Sequence, residues 1–134
     1  MVVRLRSRLR WVFRIIGIIA IGVLSRVVHT GLPIFDKYLG DALYAAMVYG
    51  ILRLLSDRAA GIAVCAMGIM TAIELFQLTM IPAHMLGSEH WVTRICARLM
   101  GVQFSFVDLL AYGVGIGVVY FVIDWPQMNT DEHR

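Results

Sequence analysis

The chain has 134 residues, of which 60% are hydrophobic and 16% are charged. Soluble domains carry about 25% charged residues, so this composition argues against a water-soluble protein, and the length fits one domain. The net charge of +3 does not indicate nucleic-acid binding. The surplus lies in a basic run before an apolar stretch, which is typical of a membrane topology signal; the run consists of Arg4, Arg6, Arg8 and Arg10.

Four apolar stretches predict four membrane-spanning helices, because each approaches the ~20 residues that a helix needs to cross a bilayer. They cover about residues 11–28, 39–55, 59–81 and 106–123. Glycine, proline and polar residues between them oppose a continuous helix. The sequence therefore predicts an all-α, polytopic membrane protein. Its parts are a basic N-terminus (1–10), a four-transmembrane-helix bundle (11–124) and a C-terminal tail (125–134).

The long connection before the fourth stretch predicts a short amphipathic helix. Trp91, Ile95 and Leu99 share one face, whereas Arg94 and Arg98 form a basic stripe at i and i+4. This pattern is typical of an interfacial helix at the membrane surface. An ordinary loop helix with solvated arginines explains it equally well.

The basic residues also predict the orientation, since cytoplasmic segments carry the excess of arginine and lysine. Both termini are expected in the cytoplasm. That side then carries Arg4, Arg6, Arg8, Arg10, Arg14, Arg53, Arg58 and Arg134, and the outer side carries Arg26, Lys37, Arg94 and Arg98.

Glu74 is the most informative residue, because a carboxylate inside an apolar stretch costs roughly 3 kcal/mol on insertion scales. It lies seven residues before Ile81, and Gln77 follows on the same helix face. The predicted topology gathers polar residues of all four stretches at the same outer depth. The predicted binding residues are Arg26, Asp41, Glu74, Gln77, Arg94, Arg98, Asp108 and Tyr112. The inner half offers only Arg14 and Arg53, which are expected to reach water.

Three interpretations of this outer set stay open. The first is structural, with arginines neutralising the carboxylates and so tying the helices together. The second is a pocket in which arginines hold a phosphate or carboxylate and Glu74 is a candidate catalytic proton acceptor. The third is an ion site, against which the nearby arginines argue. Glu74 is expected to meet Arg26 first, or else Arg94, and Asp108 is expected to take the other of these two arginines.

The motifs of soluble enzymes and cofactor sites are missing, including the Walker loop, GxSxG and HExxH. We therefore expect no cofactor and no metal, and whether the protein is an enzyme stays open. Cys65 and Cys96 are expected near opposite membrane faces and should not pair. Gly113 and Gly117 have GxxxG spacing, which permits close helix approach within one bundle or between copies.

Several short segments together resemble a known family: residues 24–26, 39–44, 73–77 and 104–112, with Gly115. They are similar to small bacterial membrane proteins of the domain-of-unknown-function family 2809, and the resemblance covers nearly the whole chain beyond the basic N-terminus. It implies a cell inner-membrane protein without an established activity. A glutamate-x-x-glutamine, a downstream arginine and a later aspartate also resemble, more loosely, the VanZ-like family, named for teicoplanin resistance.

The predicted function is the binding, or the processing, of an anionic lipid-linked or cell-envelope molecule at the outer polar site. The expected partners are membrane lipids and an anionic lipid head group. The alternative is a non-catalytic scaffold whose charged cluster fixes helix packing. Such a scaffold would serve a partner membrane protein or a second copy of the chain.

Overall fold

A computed structural model describes residues 2–28, 31–100, 103–126 and 129, with the backbone alone for residues 3, 26, 99 and 100. Within this part of the chain the regular elements are helices, so the predicted all-α fold is confirmed. Helix α6 continues as a π-helical segment, Val119–Asp124. The helices are α1 (Val2–Val27), α2 (Pro33–Leu55), α3 (Ala59–Gln77), α4 (Ile81–Leu86), α5 (Trp91–Met100) and α6 (Phe106–Val118).

Helix α2 is central to the bundle. It packs against α1, α3 and α6, and α3 also packs against α6. Trp11 near the start of α1 meets Tyr49 near the end of α2, with ring centroids 5.8 Å apart, so these two helices run antiparallel. Lys37 near the start of α2 meets Asp108 near the start of α6, so this pair runs parallel. Small and apolar side chains fill the core between them, including Ala45, Ala46, Ala66, Met70 and Ile116.

Gly115 allows α6 to approach α2 closely. A Cβ atom at this position would overlap the backbone carbonyl of Ala42. A Cβ added at Gly113 or Gly117 would meet nothing within 4 Å. The close contact between α2 and α6 therefore depends on Gly115, and not on Gly113 and Gly117, which form the GxxxG spacing.

Three helical stretches are long and apolar enough to cross a membrane: α2, α3, and α6 with its π-helical continuation, Phe106–Asp124. They correspond to the second, third and fourth predicted spans. Large apolar side chains on their outer faces are exposed, among them Val64, Leu110 and Phe121. Such surfaces are typical of a membrane protein. Helix α1 is not among the three, so the four-span count stays a prediction.

Three helix boundaries differ from those predicted. Helix α1 begins at Val2 rather than near residue 11. Helix α2 begins at Pro33 rather than near residue 39, because proline suits the first turn, where backbone N–H groups lack helical partners. Helix α3 ends at Gln77 rather than 81, and Met80 turns the chain with φ of 62°. Glu74 is therefore one turn from the end of its helix. The residues after Gln77 remain apolar, so hydropathy does not reveal this end.

The predicted short helix in the long connection is present as α5, which packs against α4. Ala97 is buried, whereas Trp91, Ile95, Arg94 and Arg98 are exposed. The location of this helix at a membrane surface stays a prediction.

Candidate functional site

Glu74 lies in a buried polar cluster where the end of α3 meets α6. Its residue exposure is 0%. Oε1 accepts hydrogen bonds from Tyr112 Oη at 2.6 Å and from Gln77 Nε2 at 3.4 Å, and Oε2 accepts from the Ser105 backbone N–H at 3.2 Å. Hydrogen bonds to a carboxylate offset much of its desolvation cost. These donors explain how the structure accommodates an acidic residue here.

Ser105 connects Glu74 to the first turn of α6. Its backbone is extended, and its Oγ accepts a hydrogen bond from the Asp108 backbone N–H at 3.4 Å. This is an N-cap, which satisfies a donor that the helix itself leaves unbonded. Because the Ser105 N–H donates to Glu74 at the same time, one residue fixes both the start of α6 and the end of α3.

Asp108 forms an ion pair with Lys37 of α2. Lys37 Nζ lies 3.0 Å from Asp108 Oδ1 and 3.2 Å from Oδ2. The lysine side chain is 55% exposed and the aspartate side chain 8%, so the amine faces outward from a buried carboxylate. Asp41 interacts electrostatically with both Lys37 and Tyr112. We call these residues the Glu74 cluster: Lys37, Asp41, Glu74, Gln77, Asp108 and Tyr112.

The basic partner of Asp108 differs from that predicted, and the expected contact of Glu74 with Arg26 stays a prediction, because the Arg26 side chain lies outside the described residues. The cation against Asp108 is Lys37 instead of an arginine, and no described basic side chain lies within salt-bridge distance of Glu74. The early start of α2 explains the first observation, since it makes Lys37 part of a helix next to α6. Neutral donors around Glu74 explain the second.

The remaining predicted binding residues do not join the cluster in the described part of the structure. Arg94 and Arg98 are exposed on α5, and neither forms an ion pair with a described carboxylate. The side chain of Arg26 lies outside the described residues. Among the described residues, no group of three or more His, Cys, Asp or Glu side chains is placed to hold a metal ion.

An apolar groove of about 570 Å³ follows the outside of the bundle between α2 and α6. Tyr38 links it to the Glu74 cluster, because its ring lines the groove and its centroid lies 5.5 Å from Lys37 Nζ. An apolar surface and an exposed amine are thus neighbours. Other lining residues are Leu32, Phe35, Ala42, Leu110 and Val114.

Residues 32–116 match the model of the family described as protein of unknown function (DUF2809). The chain belongs to this family. No curated protein and no solved structure matches it. The DUF2809 match contains the whole Glu74 cluster and the groove, and the suspected membership is confirmed. It gives no support to the looser VanZ-like similarity.

A second polar cluster lies at the opposite end of the bundle, partly beyond the DUF2809 match. Arg53 Nε lies 2.8 Å from Asp124 Oδ2, and Arg53 Nη2 donates to Oδ1 at 3.0 Å. Tyr49 Oη also donates to Asp124, and Arg53 Nη1 donates to the Ser56 carbonyl at 2.9 Å. Arg53 is 8% exposed and Asp124 1%. The expectation that Arg53 reaches water was therefore wrong.

Asp124 was not among the predicted site residues, because it lies at the edge of the last apolar stretch. A π-helical turn contains more residues than an α-helical turn and rotates the residues that follow. Here it accompanies the burial of both Val119 and Asp124. The sequence does contain a signal for this ion pair. Arg53 and Asp124 lie at the C-terminal ends of the second and fourth apolar stretches, which are predicted to reach the same membrane face. An arginine and an aspartate at equal depth favour a buried ion pair.

Proposed function

We propose that this protein is a multi-pass inner-membrane protein that binds an anionic amphiphile, a lipid-linked or cell-envelope molecule. Its head group would bind at Lys37 and its hydrocarbon chain in the groove between α2 and α6. The adjacency of the Lys37 amine to the Tyr38 side of the groove carries this proposal. A cationic group beside an apolar surface matches the two parts of such a ligand.

The distribution of charge supports an anionic head group. Lys37, Arg94 and Arg98 are exposed, whereas Glu74 and Asp108 are buried. Of the described acids in this region, Glu89 before α5 is exposed. Asp36 and Asp41 are half-buried. The fully exposed charged groups at this end are therefore mostly cationic, which raises the local concentration of anions.

Glu74 supports the proposed site by positioning its neighbours. Its carboxylate is buried and accepts three hydrogen bonds from protein donors, so a ligand does not reach it in this conformation. These bonds also favour the second candidate function, a scaffold in which the cluster fixes helix packing. Catalysis by Glu74 would require the last turn of α3 to open.

Lys37 provides the test, because it is the only lysine in the chain. An amine-reactive acetylating reagent should modify Lys37 slowly in native membranes and faster in delipidated protein, as measured by peptide mass spectrometry. Adding phosphatidylglycerol should restore protection, and phosphatidylcholine should restore less. The Lys37→Gln variant should lose lipid that co-purifies in stoichiometric amount.

Arg58→Gln is the matched control, because Arg58 is exposed at the other end of the bundle. It should retain the co-purifying lipid of the native chain. Two results together would contradict binding at Lys37 and favour the scaffold: an acetylation rate that does not change when phosphatidylglycerol is added, and equal lipid retention in Lys37→Gln and Arg58→Gln.

A further inference from the structure

Arg14 of α1 makes no hydrogen bond or salt bridge with a described residue. Its Nη1 atom is buried and without a hydrogen-bond partner, and the side chain as a whole is half-buried. Its guanidinium carbon lies 4.8 Å from the centroid of the Trp11 ring. That cation–π contact holds the guanidinium in place but satisfies none of its five N–H donors.

Among the residues that the structure describes, Arg14 has no counterion of its own. Asp124 is the nearby carboxylate that attracts it, but Asp124 already accepts a bidentate contact from Arg53. Arg53 also lies 5.5 Å from the Trp11 ring, and Arg10 repels Arg14 from one turn earlier. Of the described carboxylates, Asp124 alone attracts Arg14, and Arg53 already occupies it. The excess positive charge and the guanidinium N–H donors without partners both favour a bound anion.

We propose that Arg14, held by Trp11, binds a phosphate group. The planar guanidinium presents its donors in a fork that matches phosphate oxygens. Arg14 stands where the basic N-terminal part of α1 passes into its apolar part, and tryptophan and arginine at such positions are typical of head-group depth. The phosphate comes either from a lipid head group or from free inorganic phosphate. This site is independent of Lys37, which lies at the opposite end of the bundle.

The test is a lipid titration followed by native mass spectrometry, with the full chain in a mild detergent. Phosphatidylglycerol is the phosphate-bearing probe, and diacylglycerol is the same apolar anchor without phosphate. The titration is run in the native chain and in Lys37→Gln, so that binding at Lys37 does not mask the Arg14 site. In both backgrounds Arg14→Gln should raise the Kd for phosphatidylglycerol by about tenfold or more, because charge-assisted hydrogen bonds are lost. Binding of diacylglycerol should not change.

Arg8→Gln is the control, because Arg8 is an exposed arginine of the same helix and acts only through general charge. Its Kd should change less than that of Arg14→Gln at physiological salt, where screening weakens exposed charges. Arg14→Lys keeps the charge but loses the fork, so an intermediate Kd is expected, and this variant carries the test if Arg14→Gln fails to fold.

Inorganic phosphate as a competitor identifies the source of the group. Competition at millimolar concentration indicates a site for free phosphate, and its absence indicates a lipid head group. Equal losses in Arg14→Gln and Arg8→Gln, or an unchanged Kd in both Arg14 variants, would overturn the proposal.

Discussion

Hydrogen-bond donors satisfy the Glu74 carboxylate, and this determines how substitutions around it act. Tyr112 supplies the shortest of these bonds, at 2.6 Å, from a side chain that is 5% exposed. Water cannot easily replace a donor lost at such a depth. Each donor therefore contributes more to folding than it would at the surface, because a buried charge with a missing partner keeps its desolvation cost.

Tyr112→Phe removes the hydroxyl and leaves the ring, so it should lower the free energy of unfolding by about 1.5–3 kcal/mol, the range for a hydrogen bond to a charged group. Thermal unfolding in detergent, followed by circular dichroism, measures the change. Tyr44→Phe is the control, because Tyr44 packs against the same core and its hydroxyl makes no hydrogen bond with a described residue. Equal effects of the two changes would contradict a special role for the Tyr112 hydroxyl.

The residues around Glu74 differ in how far the sequence alone predicts their roles. Glu74, Gln77, Asp108 and Tyr112 could be predicted, because a polar residue within an apolar stretch needs a buried partner. The backbone N–H of Ser105 could not, since every residue but proline carries one and only the fold selects which is used. The role of Lys37 was hidden by the misplaced start of α2.

At the scale of helices, apolar stretches predicted which elements form, while local backbone chemistry decided where they end. Pro33 extended α2 beyond its apolar part, and the turn at Met80 shortened α3. Helix contacts were equally hard to predict, because spacing alone does not say which glycine faces a neighbour. Gly115 faces α2, whereas Gly113 is exposed.

Gly115→Ala should destabilise the protein by about 1–3 kcal/mol, the usual cost of an overpacked core. The added methyl group would collide with the backbone of Ala42, which cannot rotate away as a side chain can. The helices must then separate, which also weakens the Lys37–Asp108 ion pair between them. Thermal unfolding in detergent measures this loss.

Gly113→Ala is the matched control on the same helix, because a Cβ there meets nothing within 4 Å. It should leave stability unchanged or raise it by up to ~1 kcal/mol, since alanine favours helix over glycine. Opposite signs for the two substitutions are expected. A shift of the same sign and size in both would show that Gly115 is not a contact point.

For the whole molecule, two polar clusters stand at opposite ends of a bundle with an apolar middle. Glu74 and Lys37 mark one end, and Arg53 and Asp124 mark the other. Helix α2 has 23 residues, or roughly 34 Å at ~1.5 Å per residue, close to the ~30 Å hydrocarbon thickness of a bilayer. Lys37 and Arg53 on this helix are 16 residues apart, or roughly 24 Å, so each cluster lies just inside one end of the helix. This spacing favours a transmembrane orientation with one cluster near each face.

The two exposed, free cysteines test that orientation. In the proposed topology Cys96 on α5 lies outside, and Cys65 within α3 faces lipid. A membrane-impermeant maleimide on intact cells should label the Cys65→Ser variant, through Cys96. It should not label Cys96→Ser even after permeabilisation, because thiolates rarely form in lipid and the reagent does not enter it. Mass spectrometry of the purified protein measures the labelled fraction.

A cysteine introduced at the opposite end of the bundle tests which end faces the cytoplasm. Ser56→Cys, in a chain that lacks both native cysteines, lies in the exposed turn between α2 and α3. Positive residues predict that this turn is cytoplasmic, so the maleimide should reach it only after permeabilisation. Labelling of Ser56→Cys in intact cells, with Cys96 protected, would reverse the orientation and place the Glu74 cluster on the cytoplasmic side. Equal labelling of Cys65 and Cys96 would instead contradict α3 as a membrane span, because a lipid-facing thiol cannot react as fast as one in water.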